Sequence, residues 1–257
     1  MDPDPNKYLI YETYVGRICH ANDLTSFKSN PNYTYMLEHV TPEQGNDYLS
    51  CIQSSTSISI SEVYNFCALN DAVGSPSKTK YKPQGVYIDV SPSSLRYIFQ
   101  AHLILTHMKN IGNFQTDIVE VGGGYGGLCV AIHYFAPNYG ISINSYRLCD
   151  LSNIIRLQTI YLDTVLPDVN IEFVNAESYG EHISCSNIYL VSNYCFSEIS
   201  DHHRLEYQKK LFNKVSHGFM AWNHIPVYNF GFEMYVTQEV PYTAPHGNTH
   251  ENKYVYF

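Results

Sequence analysis

Residues 117–128 read Asp-Ile-Val-Glu-Val-Gly-Gly-Gly-Tyr-Gly-Gly-Leu. A short β-branched run opens directly into a glycine-dense turn, and a helical pattern follows over residues 126–135. Strand, turn and helix in that succession are how an α/β sheet offers backbone N–H groups and a helix N-terminus to a nucleotide-like ligand. The stretch therefore predicts an α/β fold that grips a cofactor at this turn.

Two cofactors fit the glycines. Gly122, Gly124 and Gly127 satisfy the dinucleotide pattern G-x-G-x-x-G, whereas Glu120, Gly122, Gly124 and Gly126 satisfy E-x-G-x-G-x-G, a pattern associated with S-adenosylmethionine (SAM). In a dinucleotide fold the acid that reads the ribose lies about 20 residues past the turn. Here the first acid closing a strand-like run is Asp150, 28 positions beyond Gly122. More than a hundred residues also precede the turn's strand, and both observations favour SAM over NAD.

Outward from the turn, strand and helix patterns alternate. Ser91-Pro92 starts a helix that places Leu95, Ile98, Phe99, His102, Leu105 and Met108 on one face and stops at Gly112. After the 126–135 helix come a strand ending at Asp150, a helix over 152–162, a strand over 170–174, a strand over 187–192, a helix over 201–215 and a strand over 218–222. Two final runs, 232–240 and 253–257, alternate apolar and polar residues as a hairpin does. The expected architecture is a mostly parallel seven-stranded sheet with a terminal antiparallel hairpin.

The first 90 residues read as an N-terminal helical region with a loop on the substrate side, and residues 91–257 as the cofactor-binding core. Thr41 as N-cap with Pro42 at the first helical position marks one helix entry. The turn-rich stretch over 70–85 is long enough to expect a functional loop. Ligands in open α/β sheets bind beyond the carboxyl ends of the strands. Glu120, Asp150, residues 175–177, residues 193–198 and Asn223-His224 all fall at such ends.

Composition narrows the function. The chain has 257 residues, with 15 Lys plus Arg against 24 Asp plus Glu and a net charge of −9, which argues against a nucleic-acid substrate. No apolar run reaches the roughly 20 residues that span a bilayer, and the start of the chain lacks the basic and apolar segments of a signal peptide, so a cytoplasmic protein is expected. Seven cysteines without a C-x-x-C pair suggest neither a disulfide framework nor a zinc site. The sequon Asn32-Tyr33-Thr34 would then be silent. Twenty-four tyrosines against one tryptophan suit a polyhydroxylated acceptor.

The chain resembles the sugar O-methyltransferases of the class I SAM-dependent group. The resemblance rests on Asn70-Asp71-x-x-Gly74-x-Pro76, Ser94-Leu95-Arg96-Tyr97, the block from Glu120 to Gly127, Asp150-Leu151 with Leu157-Gln158 and Tyr161-Leu162, and the block from Ser192 to Glu198. Together they cover most of residues 27–224, the Gly-Gly-Gly-Tyr-Gly-Gly block being the most specific. Ser152 stands where the family often has proline, and Cys195 where a small or polar residue is more usual. Related domains serve bacterial surface-glycan synthesis and the glycan machinery of large DNA viruses, so a viral source would put the protein in the host cytoplasm. The resemblance implies a Rossmann-like methyltransferase fold and methyl transfer to a sugar hydroxyl of a glycan or nucleotide-sugar, a 6-deoxyhexose such as rhamnose among them. A glycosyltransferase partner is consistent with that context. An NAD-dependent oxidoreductase and a catalytically silent scaffold for a glycosyltransferase are the competing functions.

Roles follow for individual residues. Gly122, Gly123, Gly124 and Gly126 would let the backbone approach the methionine part of SAM. Glu120 would orient its ammonium group or, alternatively, cap loop amides. Asp150 would accept both ribose hydroxyls or, alternatively, cap the next helix, with Leu151 beside it. Asn175, Ala176 and Glu177 would frame the adenine. Arg96 would hold the SAM carboxylate or pair with a helix acid on the surface, and Tyr97, Tyr125 and Asn193 would complete the cofactor site. Methyl transfer to an alcohol needs a base. Glu198 is the first candidate, then His224 and His202, with His203, His246 and His250 as further histidines. Asn70, Asp71, Tyr194 and Ser197 are the expected acceptor contacts. Carboxylates such as Asp71 with Glu198 could hold Mg²⁺ against vicinal sugar hydroxyls, and no motif supports a dedicated metal site.

Overall fold

The computed structural model describes residues 5–242 and 252–257. Four helices come first: α1 (Pro5–Ala21), α2 (Pro31–Thr34), α3 (Pro42–Ser55) and α4 (Ile60–Asn70). A small antiparallel hairpin of β1 (Thr79–Tyr81) and β2 (Ile88–Val90) leads to α5 (Pro92–Asn110). Alternation then begins, with β3 (Gln115–Val121), α6 (Gly127–Tyr139), β4 (Ser142–Asp150), α7 (Ser152–Val165), β5 (Ile171–Asn175) and β6 (Ile188–Asn193). The chain continues through α8 (Cys195–Glu198), α9 (Asp201–Lys210), β7 (Val215–Trp222), β8 (Tyr235–Gln238) and β9 (Lys253–Tyr256).

Seven strands pair in the order β5-β4-β3-β6-β7-β9-β8. The first five are mutually parallel, while β9 runs antiparallel to both β7 and β8. This is the Rossmann-like, mostly parallel seven-stranded sheet with a terminal antiparallel hairpin expected from the sequence. Because side chains alternate across a strand, β3 serves two cores. Ile118 faces one that includes residues of α1, α3, α4, α5, α6 and α7, and Val119 and Val121 face another that includes residues of α9 and the C-terminal segment. The N-terminal helices share the first core with the sheet, so packing is continuous across residue 90.

Several local readings hold and others shift. Thr41 makes the full capping box: its side chain accepts from Gln44 N at 3.2 Å, and Gln44 Oε1 accepts from Thr41 N at 3.0 Å. The helix expected over 201–215 stops at Lys210, and Val215 already pairs with Ile188. Long-range pairing with β6 overrides the local helical pattern there. The 70–85 stretch is no free loop either. It contains β1, and Lys28 N donates to Gly74 O at 2.9 Å, which packs it against the segment at Phe27–Ser29.

Candidate cofactor and acceptor cleft

A cleft of about 400 Å³ opens beyond the carboxyl ends of β3, β4, β6 and β7, within the size range of small-molecule sites. Its floor is the glycine turn. Gly122 has φ +76° and Gly124 has φ +56°, values that an L side chain adopts only under strain. A Cβ on Gly122 would also lie 2.3 Å from both Cβ and Sγ of Cys195. Glycine at 122 is thus demanded twice, by conformation and by the close approach of α8. Gly123 and Gly126 shape the same turn without lining the cleft, Gly126 as the left-handed N-cap of α6.

Asp150 lines the cleft at the end of β4. Its Oδ1 accepts from Leu151 N and its Oδ2 from Gln158 Nε2, both at 2.9 Å. It does not cap α7, whose N-cap is Leu151 without a side-chain bond. Burial pushes the Asp150 carboxyl up to about 7, and hydrogen bonds from Leu151 N and Gln158 pull against that rise. Glu120 sits behind the turn at 1 % exposure and is absent from the cleft lining. Tyr146 Oη donates to its Oε2 at 2.6 Å, and burial raises this carboxyl to about 7 as well. Glu120 is therefore placed to support the turn from beneath.

Arg96 is 8 % exposed and lines the cleft from α5. Among the described residues no carboxylate lies within 4 Å of it, and its Nε has no hydrogen-bond partner. The surface ion pair considered from sequence is thereby replaced by a buried cation facing a cavity. Asn193 Nδ2 donates to Gln100 Oε1 at 2.7 Å, while its Oδ1 is also buried without a partner. Buried polar groups are rarely left unpaired. Arg96 and Asn193 thus bring two unpartnered polar atoms to one wall of the cleft.

The opposite end carries Glu198 on α8. Tyr8 Oη donates to Glu198 Oε2 at 2.9 Å, and Asn223 Nδ2 donates to Oε1. His224 lines the cleft beside them. Tyr194, at φ +59°, turns the chain from β6 into α8 and donates its hydroxyl to Glu239. Ser197 is 4 % exposed and bonds to Tyr194 O at 2.8 Å, so it braces that turn and does not line the cleft.

Other expected residues lie elsewhere. Asn70 donates to Ser94 Oγ at 2.8 Å and to Tyr125 Oη at 3.0 Å, and Asp71 accepts from Ser91 N at 2.9 Å and from Ser94 Oγ at 2.6 Å. Both fix the start of α5 from the interior and are set apart from the cleft and from Glu198. Tyr97 and Tyr125 are buried, with rings edge to face at 5.8 Å. Leu151 is 38 % exposed outside the cleft, and Asn175, Ala176 and Glu177 form a short turn in which Asn175 accepts from Glu177 N at 2.9 Å. His202 is exposed on α9, ring to ring with His203 at 5.4 Å. His246 and His250 lie outside the described residues.

The remaining wall of the cleft comes from residues that the sequence did not single out. Tyr8 and Tyr11 reach in from α1, Leu37 and His39 from the loop before α3, and Gln44 and Tyr48 from α3. Burial, reinforced by the nearby Arg96 charge, lowers His39 to about 4. It therefore enters the cleft as a neutral imidazole. Among the described residues no group of three His, Cys, Asp or Glu side chains could hold a metal ion, and no helix is long and apolar enough to cross a membrane.

No protein-family model matches the chain. No curated protein matches it either. Solved structures give distant likenesses. A Thermoplasma acidophilum protein is 17 % identical over 62 % of this chain and 86 % of that one, with a TM-score of 0.40. TrmK of M. capricolum, in complex with the natural cofactor product S-adenosyl-homocysteine (SAH), is 14 % identical over 59 % of this chain and 66 % of that one, also at 0.40. The pyocyanin biosynthetic protein PhzM is 12 % identical over 84 % of this chain and 51 % of that one, at 0.37. The fold stands on the strand ladder itself.

Proposed function

We propose that this chain is a SAM-dependent O-methyltransferase whose acceptor is a sugar hydroxyl, in a glycan or a nucleotide-sugar. The carrying observation is one cleft that joins a buried guanidinium with no contacting carboxylate among the described residues, a glycine turn and a strand-end carboxylate to a second carboxylate gripped by two donors. Gly122 and Gly124 would lie under the methionine part of SAM, Asp150 would accept the ribose hydroxyls, and Arg96 would take the carboxylate in a charge-assisted fork. The unpartnered Arg96 Nε and Asn193 Oδ1 fit such a ligand. SAM, when bound, supplies a methyl group on an electrophilic sulfonium.

The rest falls to the protein. An alcohol attacks poorly until its proton is removed, and a positioned base contributes about 10²–10⁴-fold. Glu198 keeps lone pairs on both oxygens after Tyr8 and Asn223 have donated, so it can accept that proton. His224 is the alternative base on the same wall. Tyr48 and Tyr194 offer aromatic faces to a sugar ring, and a 6-deoxyhexose such as rhamnose is the acceptor that the family resemblance suggests.

Strand order supports SAM over a nicotinamide cofactor. The dinucleotide fold runs 3-2-1-4-5-6 with parallel strands, whereas here antiparallel β9 is inserted between β7 and β8. Incubation with labelled SAM and a panel of glycosides and nucleotide-sugars, read by mass increase and fragmentation, should put the label on a carbohydrate oxygen. Label on protein or RNA instead would overturn the acceptor class. SAM binding without turnover across the panel would favour the silent scaffold.

A further inference from the structure

Glu198 meets Tyr8 across 190 positions of sequence, from the first turn of the N-terminal helix to the last residue of α8, the short helix after β6. We infer that Tyr8 is a positioning residue for the base: it holds the Glu198 carboxylate, together with Asn223, in the orientation that receives the acceptor's proton. The inference rests on the reading of Glu198 as that base.

A carboxylate on a flexible side chain rotates unless both oxygens are engaged. Tyr8 fixes Oε2 at 2.9 Å and Asn223 fixes Oε1, one donor from α1 and one from the residue after β7. Charge-assisted bonds of this kind are the stronger class. Tyr8 remains a donor and does not compete as a base, because burial, and next the Glu198 charge, push its phenol well above the usual tyrosine range.

The helix that carries Tyr8 is anchored by its own packing. Tyr11, Tyr14, Val15 and Ile18 are buried in the first core. Gly16 brings α1 close to α7, where an added Cβ would lie 3.2 Å from Asn153 Nδ2, and Asn153 also donates to Glu12 at 3.5 Å. Since α7 begins two residues after Asp150, the contact of α1 with α7 ties the Asp150 end of the cleft to the helix that carries Tyr8. Positioning of this sort matters because small misplacements of a catalytic group are costly in rate.

The test compares the full-length wild type with Tyr8→Phe, Glu198→Gln, the double variant, and Tyr14→Phe as a control on the same helix. Rates are measured with tritiated SAM and a panel of p-nitrophenyl glycosides that includes the α-L-rhamnoside. Loss of a bond to a charged group predicts that Tyr8→Phe lowers kcat about ten- to a hundredfold. The acceptor KM, the SAH Kd and the melting temperature should stay close to wild type, Tyr14→Phe should match wild type, and the double variant should be no slower than Glu198→Gln alone. Wild-type kcat in Tyr8→Phe, with Glu198→Gln inactive, overturns the inference and leaves the base reading standing. Parallel losses of SAH affinity and melting temperature in Tyr8→Phe also overturn it, by making the residue structural. Full activity in Glu198→Gln, or a wild type silent on every glycoside, removes the reading on which it rests.

Discussion

Gln158 Nε2 donates at once to Asp150 Oδ2 at 2.9 Å and to Gly124 O at 2.8 Å. One buried amide thus fixes the strand-end carboxylate relative to the glycine turn. Gln158→Leu keeps the volume and removes both donors, leaving a buried carbonyl and carboxylate less satisfied. Affinity for SAH should fall about tenfold by calorimetry, and unchanged affinity would mean that the turn and Asp150 hold their places without it.

The Asp150 carboxyl, raised to about 7 by burial, is largely protonated in mildly acidic buffer. Ribose hydroxyls donate best to the ionised form. SAH affinity should therefore rise about tenfold per pH unit as pH approaches 7 from below, then level off. The sign for stability is the reverse in the ligand-free protein. A folded value above the ordinary 3.8 means that this group's contribution is full below that value and is lost as pH rises through about 7. The thermal shift on adding SAH should grow across the same window, and Asp150→Asn should flatten both profiles. A wild-type affinity independent of pH would contradict this role.

Arg96 is buried with no acidic partner within 4 Å among the described residues. Its charge is favoured by the rings of Tyr97 and Tyr194 and by the more distant Glu38, without a contacting ion pair, and a charge interaction weakens with separation. Arg96→Met should lower the ligand-free melting temperature only slightly and weaken SAH binding by at least about tenfold. Arg96→Lys should bind weakly too, because a point charge does not replace the planar fork. A large fall in melting temperature with intact SAH binding would assign Arg96 to the scaffold.

Gly122→Ala meets two separate penalties, a φ of +76° and a 2.3 Å approach to Cys195. The left-handed conformation alone costs about 1–2 kcal/mol. Cys195→Gly removes the steric contact and leaves the backbone penalty. The double variant should therefore melt above Gly122→Ala once the effect of Cys195→Gly alone is subtracted, without regaining wild-type stability. Strict additivity would show that the two residues are not coupled.

The sequence made the sheet legible because strand and helix periodicities are local, and the glycine turn announces itself in six consecutive residues. Asp150, Arg96 and Glu198 were found by their place after a strand or in a block of resemblance, and all three line the cleft. Asn70 and Asp71 stand in an equally visible block, yet their side chains fasten α5. Motif identity does not reveal which way a side chain turns. Tyr8, His39 and Tyr48 carried no signal at all, because their presence in the cleft follows from how the N-terminal helices pack over strand ends that are distant in sequence. The short β1–β2 hairpin was hidden by turn-forming residues that dominate its surroundings.

The most direct test of the SAM-site reading is calorimetric titration of the full-length chain with SAH and, separately, with NADH, repeated on Asp150→Ala. Saturable SAH binding at one site, lost or strongly weakened in Asp150→Ala, with no heat from NADH, is the predicted result. Tight NADH binding with no response to SAH would contradict it.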